Sequence, residues 1–184
     1  LSLGVYIILF RVLLERPRFP EYVIIPVLMV FLVIIDTTVA MIDGGIKPLV
    51  EPYTRDTLEY YADVPKVQSI KYFLGNYIVL FDKLSGHSQT HPPGGALFLW
   101  IVSKLFGRGL IQAAFATIAF TSITIIPVYY LAKEYYGVNI ARYAIGLFMV
   151  TPNMVMFTAT GMDGPFTVFP ALSIFFFYKA ISSK

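Results

Sequence analysis

The chain of 184 residues is 57% hydrophobic and only 14% charged, with a mean hydropathy of +0.71. Because a soluble domain carries about 25% charged residues, this composition excludes an ordinary water-soluble domain and indicates an integral membrane protein. The net charge of +3 includes no lysine and arginine cluster interleaved with aromatics, so no nucleic-acid partner is expected. The absence of cysteine excludes disulfides and thiolate metal sites.

Four segments have the length and composition of membrane spans. A helix needs about 20 mostly apolar residues to cross the hydrocarbon core. The segments that come close to this, in chain order, are 22–42, 110–132, 141–161 and 165–182. The opening run 1–14 is interrupted by Arg11, so it is either the tail of an earlier span or a surface helix. We therefore predict an all-α, polytopic helical bundle, with 1–184 as one transmembrane domain from the N-terminal part of a longer protein.

The segment 93–106 is apolar but too short for an ordinary span, so we predict a re-entrant or membrane-surface helix. If it does not cross, the polar loop 43–92 and the corner at Asp163 face the same side of the membrane. Basic residues before the first full span indicate a cytoplasmic end by the positive-inside rule; they are Arg11, Arg16 and Arg18. Lys133 and Arg142 would share that side, which makes the loop 43–92 extracytoplasmic.

Two polar features interrupt the predicted spans. Asp36 is an ionisable residue inside the predicted span 22–42. Because such a residue is costly in lipid, the usual hypothesis is that it has a function. We favour a structural role, because Thr37, Thr38 or the nearby loop could satisfy the carboxylate. Pro152, inside 141–161, predicts a kink packed against neighbouring helices.

The polar loop carries three acidic residues at three- and four-residue spacing: Asp56, Glu59 and Asp63. On a helix these acids would share one face, where a carboxylate could lie beside an amphiphilic substrate. The alternative is that the three acids form the solvated face of a juxtamembrane helix, and the spacing alone favours this alternative.

The chain has two histidines, His87 and His91, and His91 lies in the sequence Thr-His-Pro-Pro-Gly before an apolar helix. Proline suits the first turn of a helix, and a helix N-terminus attracts an anion such as phosphate. An imidazolium there could neutralise a leaving phosphate or donate a proton. The alternative, a histidine that only caps the helix, is equally open.

These residues give the chain a resemblance to the GT-C membrane glycosyltransferases. The chain is most similar to the protein-mannosyltransferase and aminoarabinose-transferase superfamily, called glycosyltransferase family 39-like. The similarity lies in a loop acid after the first full span, followed by the His-Pro-Pro turn into an apolar helix. It is carried by 59–65, 90–94 and 97–107, and it covers most of 22–184.

The resemblance implies transfer of a hexosyl or pentosyl group from a polyprenyl- or dolichyl-phosphate carrier to an extracytoplasmic acceptor. The acid of the first external loop would be the base that acts on the acceptor hydroxyl. Asp56 with Tyr60 matches the pattern of Asp, three residues, then Tyr, with Tyr60 near the substrate. Glu59 and Asp63 are the rival catalytic acids.

The resemblance also implies where the donor lies. The lipid chain would follow the apolar spans, and its phosphate would need a cation or a helix N-terminus, for which His87, His91 and Lys71 are candidates. Asp163 resembles the acid of the second external loop, which implies contact with substrate or, with Asp56, with a divalent metal. Alternatively, or in addition, Asp163 caps the helix that follows it.

Two other classes of protein remain open from the sequence. A transporter or channel subunit would distribute ionisable or Gly/Pro-interrupted positions over several spans, whereas here the charges concentrate in one loop. A non-catalytic membrane subunit would use the loop only for contact. We expect a multi-pass enzyme of a prokaryotic plasma membrane, with membrane lipid and the lipid-phosphate sugar as its partners.

Overall fold

A computed structural model describes residues 2–14 and 19–182; Arg16 and Arg18 lie outside the described residues. Within these ranges the chain forms helices and no strand, which confirms the all-α class. The α-helices, in chain order, are α1 (Ser2–Leu9), α2 (Glu21–Ala40), α3 (Ile46–Val50), α4 (Ile70–Gly75), α5 (Tyr77–Leu80), α6 (Gly86–Thr90), α7 (Gly94–Phe106), α8 (Leu110–Thr121), α9 (Ile125–Met149), α10 (Pro152–Thr160) and α11 (Asp163–Ser182).

The chain divides into two compact units. The membrane unit takes in the described residues up to 42 and from 117 onward. The loop unit is Asp43–Ala116, so the second boundary falls within α8.

Three stretches of the described residues are long and apolar enough to cross a membrane: Glu21–Ala40, Leu110–Met149 and Asp163–Ser182. The first and third have 20 residues each, which at 1.5 Å per residue span about 30 Å, the thickness of the hydrocarbon core. These helices confirm a polytopic integral membrane protein. Helix α7 is apolar but has 13 residues, so its length is about 20 Å and falls short of a full crossing.

Two breaks divide the segment 125–160. Gly137 has a φ of 83° inside α9, a conformation that glycine adopts without steric cost, so α9 is two helices that meet there. The second break comes at Val150 and Thr151, and Pro152 is the first residue of α10. The segment 141–161, for which we predicted a kink at Pro152, is divided there between α9 and α10. Proline suits the first turn of a helix, where its missing N–H costs nothing.

The core of the membrane unit is formed by one face of α2 against α9 and α10. Ile24, Leu28 and Leu32 on α2 are at most 2% exposed, and they belong to one apolar cluster with Ile145 and Met149. At the start of α2, polar contacts replace this packing, because Lys133 Nζ donates to Glu21 Oε1 at 2.6 Å. Lys133 therefore lies at the N-terminal end of α2, and so does Arg142, whose Nη2 donates to the Phe19 carbonyl at 2.9 Å.

Helix α11 runs parallel to 117–136. Its far end is tied by an ion pair between Lys179 and Glu134. Its first turn lies against α8, where a Cβ on Gly164 would collide with the side chain of Thr121. Asp163 therefore lies at the end of the membrane unit opposite to the Glu21 contacts. The C-terminal end of α2 lies at this end of the membrane unit, the one that carries Asp163.

The loop unit consists of short helices around a small apolar core. Val67, Phe73, Leu84 and Ala96 form this core, and the 3-10 helix Tyr60–Lys66 packs against α7. The single helix that would place Asp56, Glu59 and Asp63 on one face is not present, so that prediction is wrong. Residues 56–58 form a turn, Glu59 is extended with φ −93° and ψ 147°, and Asp63 lies within the 3-10 helix.

Asp36 is the buried carboxyl of α2. It has no exposed surface, and neither of its oxygens has a hydrogen-bond partner among the described residues. The expectation that a neighbouring threonine satisfies it is wrong. The Thr37 hydroxyl also has no partner within the described chain, and Thr38 donates instead to the Ile34 carbonyl at 2.6 Å. A charge at such a position would be costly.

Asp36→Asn is expected to leave the thermal unfolding temperature of the membrane-embedded protein unchanged or raised. The amide keeps the shape of the carboxyl group and removes the possibility of an unpaired buried charge. Leu32→Ala, at a 1% exposed position on the same helix, is the control and should cost about 2 kcal/mol or more. A loss in Asp36→Asn as large as that in Leu32→Ala would show that the carboxylate itself is required.

Candidate active site

Two backbone hydrogen bonds bring the loop acids to the histidines. The Gly86 amide donates to the Thr57 carbonyl at 2.9 Å, and the His87 amide donates to the Leu58 carbonyl at 3.0 Å. These carbonyls accept from a distant segment rather than from residues four positions ahead, which is why 56–59 is not helical. The turn that contains Asp56 therefore lies directly beside α6.

Glu59 orients His87. The His87 Nδ1 lies 3.2 Å from Glu59 Oε2, and the two side chains are 36% and 12% exposed. A carboxylate accepts at this distance, so Nδ1 carries the proton. This leaves Nε2 as the ring atom that can act on a ligand.

Three rings form one cluster around this pair. The Tyr60 ring lies 5.4 Å from the His87 ring and 6.3 Å from the His91 ring, and the two histidine rings are 5.9 Å apart. Tyr60 is only 3% exposed, so it is the buried member of the cluster, and its ring packs against both histidine rings. Gly95 at the start of α7 fits closely against the same tyrosine ring.

His91 is held by α6 and not by α7. Its Nδ1 lies 3.1 Å from the His87 carbonyl and 3.0 Å from Thr90 Oγ1. Helix α7 begins later, at Gly94, after Pro93. His91 is therefore the C-cap residue of α6 and not a cap of α7, and its side chain is exposed.

Asp63 has the geometry of a structural carboxylate. Its side chain is fully buried, and it accepts from Lys66 Nζ at 2.7 Å, Ser85 Oγ at 2.7 Å and the Ser85 amide at 3.0 Å. Burial acts to raise the pKa of Asp63, but hydrogen bonds that include those from Lys66 and Ser85 outweigh it, and the pKa lies below its usual value. Asp63 therefore stays ionised and out of reach of an acceptor hydroxyl.

Asp56 and Lys71 differ in their relation to the cluster. Asp56 is exposed in the turn that is bonded to α6, and within the described chain its carboxylate has no hydrogen bond or ion pair. Arg55 beside it pairs instead with Glu51 at 3.6 Å. Lys71 is exposed on α4, and none of the described contacts joins it to the histidines.

Tyr77 is a contributor that the sequence did not indicate. Its hydroxyl donates to the Ser88 carbonyl and lies 3.2 Å from the His91 carbonyl, so α5 fixes the turn between α6 and α7. Burial, with a smaller effect of the Asp63 charge, raises the pKa of Tyr77 and keeps it a neutral donor. The chain has 13 tyrosines, and no motif around Tyr77 distinguishes it from the others in the sequence.

Asp163 belongs to the membrane unit. It is the first residue of α11, where a carboxylate is favoured by the helix dipole, and its side chain is exposed. It lines a cavity of about 360 Å³ whose surface is mostly apolar, together with residues of α10 and α11: Asn153, Met154, Phe157, Thr158, Gly164 and Thr167.

The described residues do not fit a metal site built from side chains alone. No group of three or more His, Asp or Glu side chains in the described parts of the chain lies close enough to hold an ion. Asp56 and Asp163, the two candidates, lie in different units. We therefore derive no step through a metal ion.

The fold and the cluster together define a helical integral membrane protein with carboxylates and histidines in the loop unit between its apolar segments. The family model described as dolichyl-phosphate-mannose-protein mannosyltransferase matches residues 90–184, and the chain belongs to this family. It is therefore a membrane glycosyltransferase of the GT-C type that uses lipid-linked sugar donors, as the resemblance predicted. No curated protein and no solved structure matches the chain.

The matched segment begins one residue before His91 and includes Asp163. Asp56, Glu59, Asp63 and His87 precede it, so the roles of these residues depend on the geometry of the loop unit.

Gly95→Ala is expected to destabilise the loop unit. Its Cβ would lie 2.8 Å from Cδ1 and Cε1 of Tyr60, a distance that forces the ring to move and should cost about 1–3 kcal/mol. Gly94→Ala is the matched control, because nothing lies within 4 Å of its Cβ. Thermal unfolding in nanodiscs measures the difference. Equal unfolding temperatures for the two variants would show that Tyr60 does not pack here.

Asp63→Asn is expected to remove about 2 kcal/mol of stability, because hydrogen bonds to a buried charge are lost. The folded pKa of Asp63 lies below the unfolded value of about 3.9. Its contribution is thus fully present above that value and is lost as the pH falls through the folded pKa.

Unfolding temperatures measured from pH 7 to pH 3 test this prediction. The wild type should lose its advantage over Asp63→Asn only in the acid range. Asp56→Asn, at an exposed position, serves as the control and should be as stable as the wild type. An advantage of the wild type that persists unchanged at pH 3 would contradict the assignment.

Proposed function

We propose that the protein transfers a sugar from a polyprenyl- or dolichyl-phosphate carrier to an acceptor hydroxyl on the extracytoplasmic side, with Asp56 as the base. The observation that carries this proposal is the pair of backbone hydrogen bonds that joins Thr57 and Leu58, which follow Asp56, to Gly86 and His87. It supports a site in which a carboxylate and two histidines act on one substrate.

The three loop acids are suited to different tasks. Asp63 is buried and saturated with donors. Glu59 is occupied with His87. Asp56 alone of the three is exposed and unpaired among the described contacts, so it can reach a hydroxyl brought by the acceptor.

The reaction balances with these groups. The acceptor oxygen forms a bond to the anomeric carbon while the bond from that carbon to the carrier phosphate oxygen breaks. The proton of the acceptor hydroxyl passes to the Asp56 carboxylate. The electron pair of the broken bond leaves on the phosphate, which remains attached to the lipid and needs donors to stabilise its charge.

His87 and His91 are the proposed donors to that phosphate. Each ring has its Nδ1 committed to a protein acceptor, Glu59 in one case and the His87 carbonyl in the other. Their Nε2 atoms are left for the ligand and donate to the phosphate when the ring is an imidazolium, which carries a proton on each nitrogen. The ring centres are 5.9 Å apart, a spacing that allows one phosphate group to contact both.

Asp163 is proposed to contribute from the membrane unit. Its cavity is mostly apolar, which suits part of a lipid chain, and Asp163 and Asn153 supply a polar end. Asp163 lies at the end of the membrane unit opposite to the Glu21 contacts, and we propose that this end faces the extracytoplasmic side. We propose the plasma membrane of a prokaryote as the location.

Sugar transfer from a lipid-phosphate donor in proteoliposomes tests the proposal. Asp56→Asn should slow transfer by about 10²–10⁴-fold, the contribution of general base catalysis. Glu59→Gln should weaken donor use by a smaller factor, because it loses the orientation of His87 and not the base. Asp82→Asn is the control, since Asp82 is an exposed acid of the same unit, and it should transfer at the wild-type rate.

Full activity of Asp56→Asn would eliminate Asp56 as the base and make Glu59 the candidate. If Glu59→Gln were also fully active, base catalysis by this loop would be wrong.

A further inference from the structure

The His91 ring is contacted by a hydroxyl as well as by the backbone. Thr90, the last residue of α6, has its Oγ1 3.0 Å from His91 Nδ1 and 2.9 Å from the Gly86 carbonyl oxygen, one helical turn earlier. The His87 carbonyl oxygen lies farther from the same hydroxyl, at 3.4 Å. A carbonyl oxygen only accepts, so the hydroxyl donates its one proton to Gly86. The Thr90 oxygen is therefore an acceptor for a proton on His91 Nδ1.

The second neighbour of Nδ1 is also an acceptor, but another donor already uses it. The His87 carbonyl oxygen lies 3.1 Å from His91 Nδ1, and it accepts the His91 backbone amide at 3.0 Å. Among the described contacts, Thr90 Oγ1 accepts from the ring alone. An unprotonated Nδ1 would face two oxygens, and Thr90 could donate to it only by giving up its bond to Gly86. The arrangement favours the tautomer of His91 with its proton on Nδ1.

We propose that Thr90 is a positioning residue that keeps the proton of neutral His91 on Nδ1, so that His91 binds the donor phosphate only as an imidazolium. In a neutral histidine, the hydrogen bond made by one ring nitrogen decides which nitrogen carries the proton. The Nε2 of this tautomer holds a lone pair, which repels a phosphate oxygen. Protonation of the ring places a proton on Nε2 and makes it a charged donor. The identity of the ligand rests on the proposed function, whereas the tautomer depends only on the geometry of α6.

The titratable groups that face His91 come from three elements. The His87 ring on α6 lies 5.9 Å away, and the Tyr60 ring of the 3-10 helix lies 6.3 Å away. Tyr77 on α5 has its hydroxyl 3.2 Å from the His91 carbonyl. The Glu59 carboxylate contacts His87, where it accepts from Nδ1. His87 is thus oriented by a charged group and His91 by a neutral hydroxyl, so Thr90 directs the proton of His91 without adding charge to the cluster.

Thr90→Val keeps the branched shape of the side chain and removes the hydroxyl. Neutral His91 can then place its proton on Nε2, from which it donates to a phosphate without a positive charge. We expect the variant to bind the donor as the wild type does at about pH 5, where histidine is charged. At about pH 8.5 it should bind roughly two- to tenfold more tightly than the wild type, the effect of one hydrogen bond. Simple damage to the site would instead weaken binding at both pH values.

Nitrogen-15 NMR of the protein in nanodiscs, at about pH 9 and without donor, measures the tautomer. The shift of a ring nitrogen depends on whether it carries a proton, and His87→Gln leaves His91 as the one histidine of the chain for assignment. Thr90→Val should move much of the proton from Nδ1 to Nε2, and Thr90→Ser should restore the wild-type pattern. Thr54→Val is the matched control and should change nothing. Its hydroxyl is also exposed and donates to a carbonyl one turn earlier, that of Glu51, at 2.7 Å.

Equilibrium binding of a non-transferable lipid-phosphate sugar analogue to the same nanodiscs measures the consequence. Its phosphodiester lacks the second ionisation that a phosphate monoester has near pH 6, so the pH dependence of binding comes from the protein. A His91 that keeps its proton on Nδ1 in Thr90→Val would overturn the proposal. A tautomer that shifts in this variant while its affinity follows that of the wild type at both pH values would uphold the control of the ring by Thr90. That second result would contradict His91 as a phosphate ligand in the proposed function.

Discussion

The buried carboxylate of Asp63 is the contact on which the arrangement of the loop unit depends. It accepts from both donors of Ser85, 22 positions away in sequence, and from Lys66, which in turn reaches the carbonyl of Lys83. These bonds fix the start of α6 against the 3-10 helix. The next two amides, of Gly86 and His87, then meet the carbonyls beside Asp56, so one buried anchor sets the position of both the acid and the histidines.

Three carboxylates of one short segment thus have three environments, and the environment separates their roles. Asp63 is buried and saturated with donors, Glu59 is mostly buried and holds a histidine, and Asp56 is exposed and unpaired in the described structure. A carboxylate acts as a base only if it can reach a proton and is not already satisfied. Spacing in the sequence could not rank the three, because the ranking comes from contacts with 85–87.

The features of the fold that depend on local chemistry were predictable. Apolar length identified α2 and α11 as spans, and the same argument identified α7 as too short. The His-Pro-Pro turn and the loop acids indicated the residues of the cluster as candidates, and the family match confirms the class of enzyme. What was missed depends on contacts distant in sequence, such as Tyr77 on the carbonyl of His91. The non-helical path of 56–59 was also missed, because its carbonyls pair with α6.

The central claim is that Asp56, His87 and His91 together form the place where the lipid-phosphate sugar reacts. An experimental structure of the membrane-embedded protein with a non-transferable lipid-phosphate sugar analogue tests it most directly. The account predicts a phosphate oxygen within about 3 Å of Nε2 of at least one histidine, with the anomeric carbon facing Asp56. A phosphate bound at Lys71, or at Lys133 beside the N-terminal end of α2, with neither histidine in contact with the ligand, would contradict it.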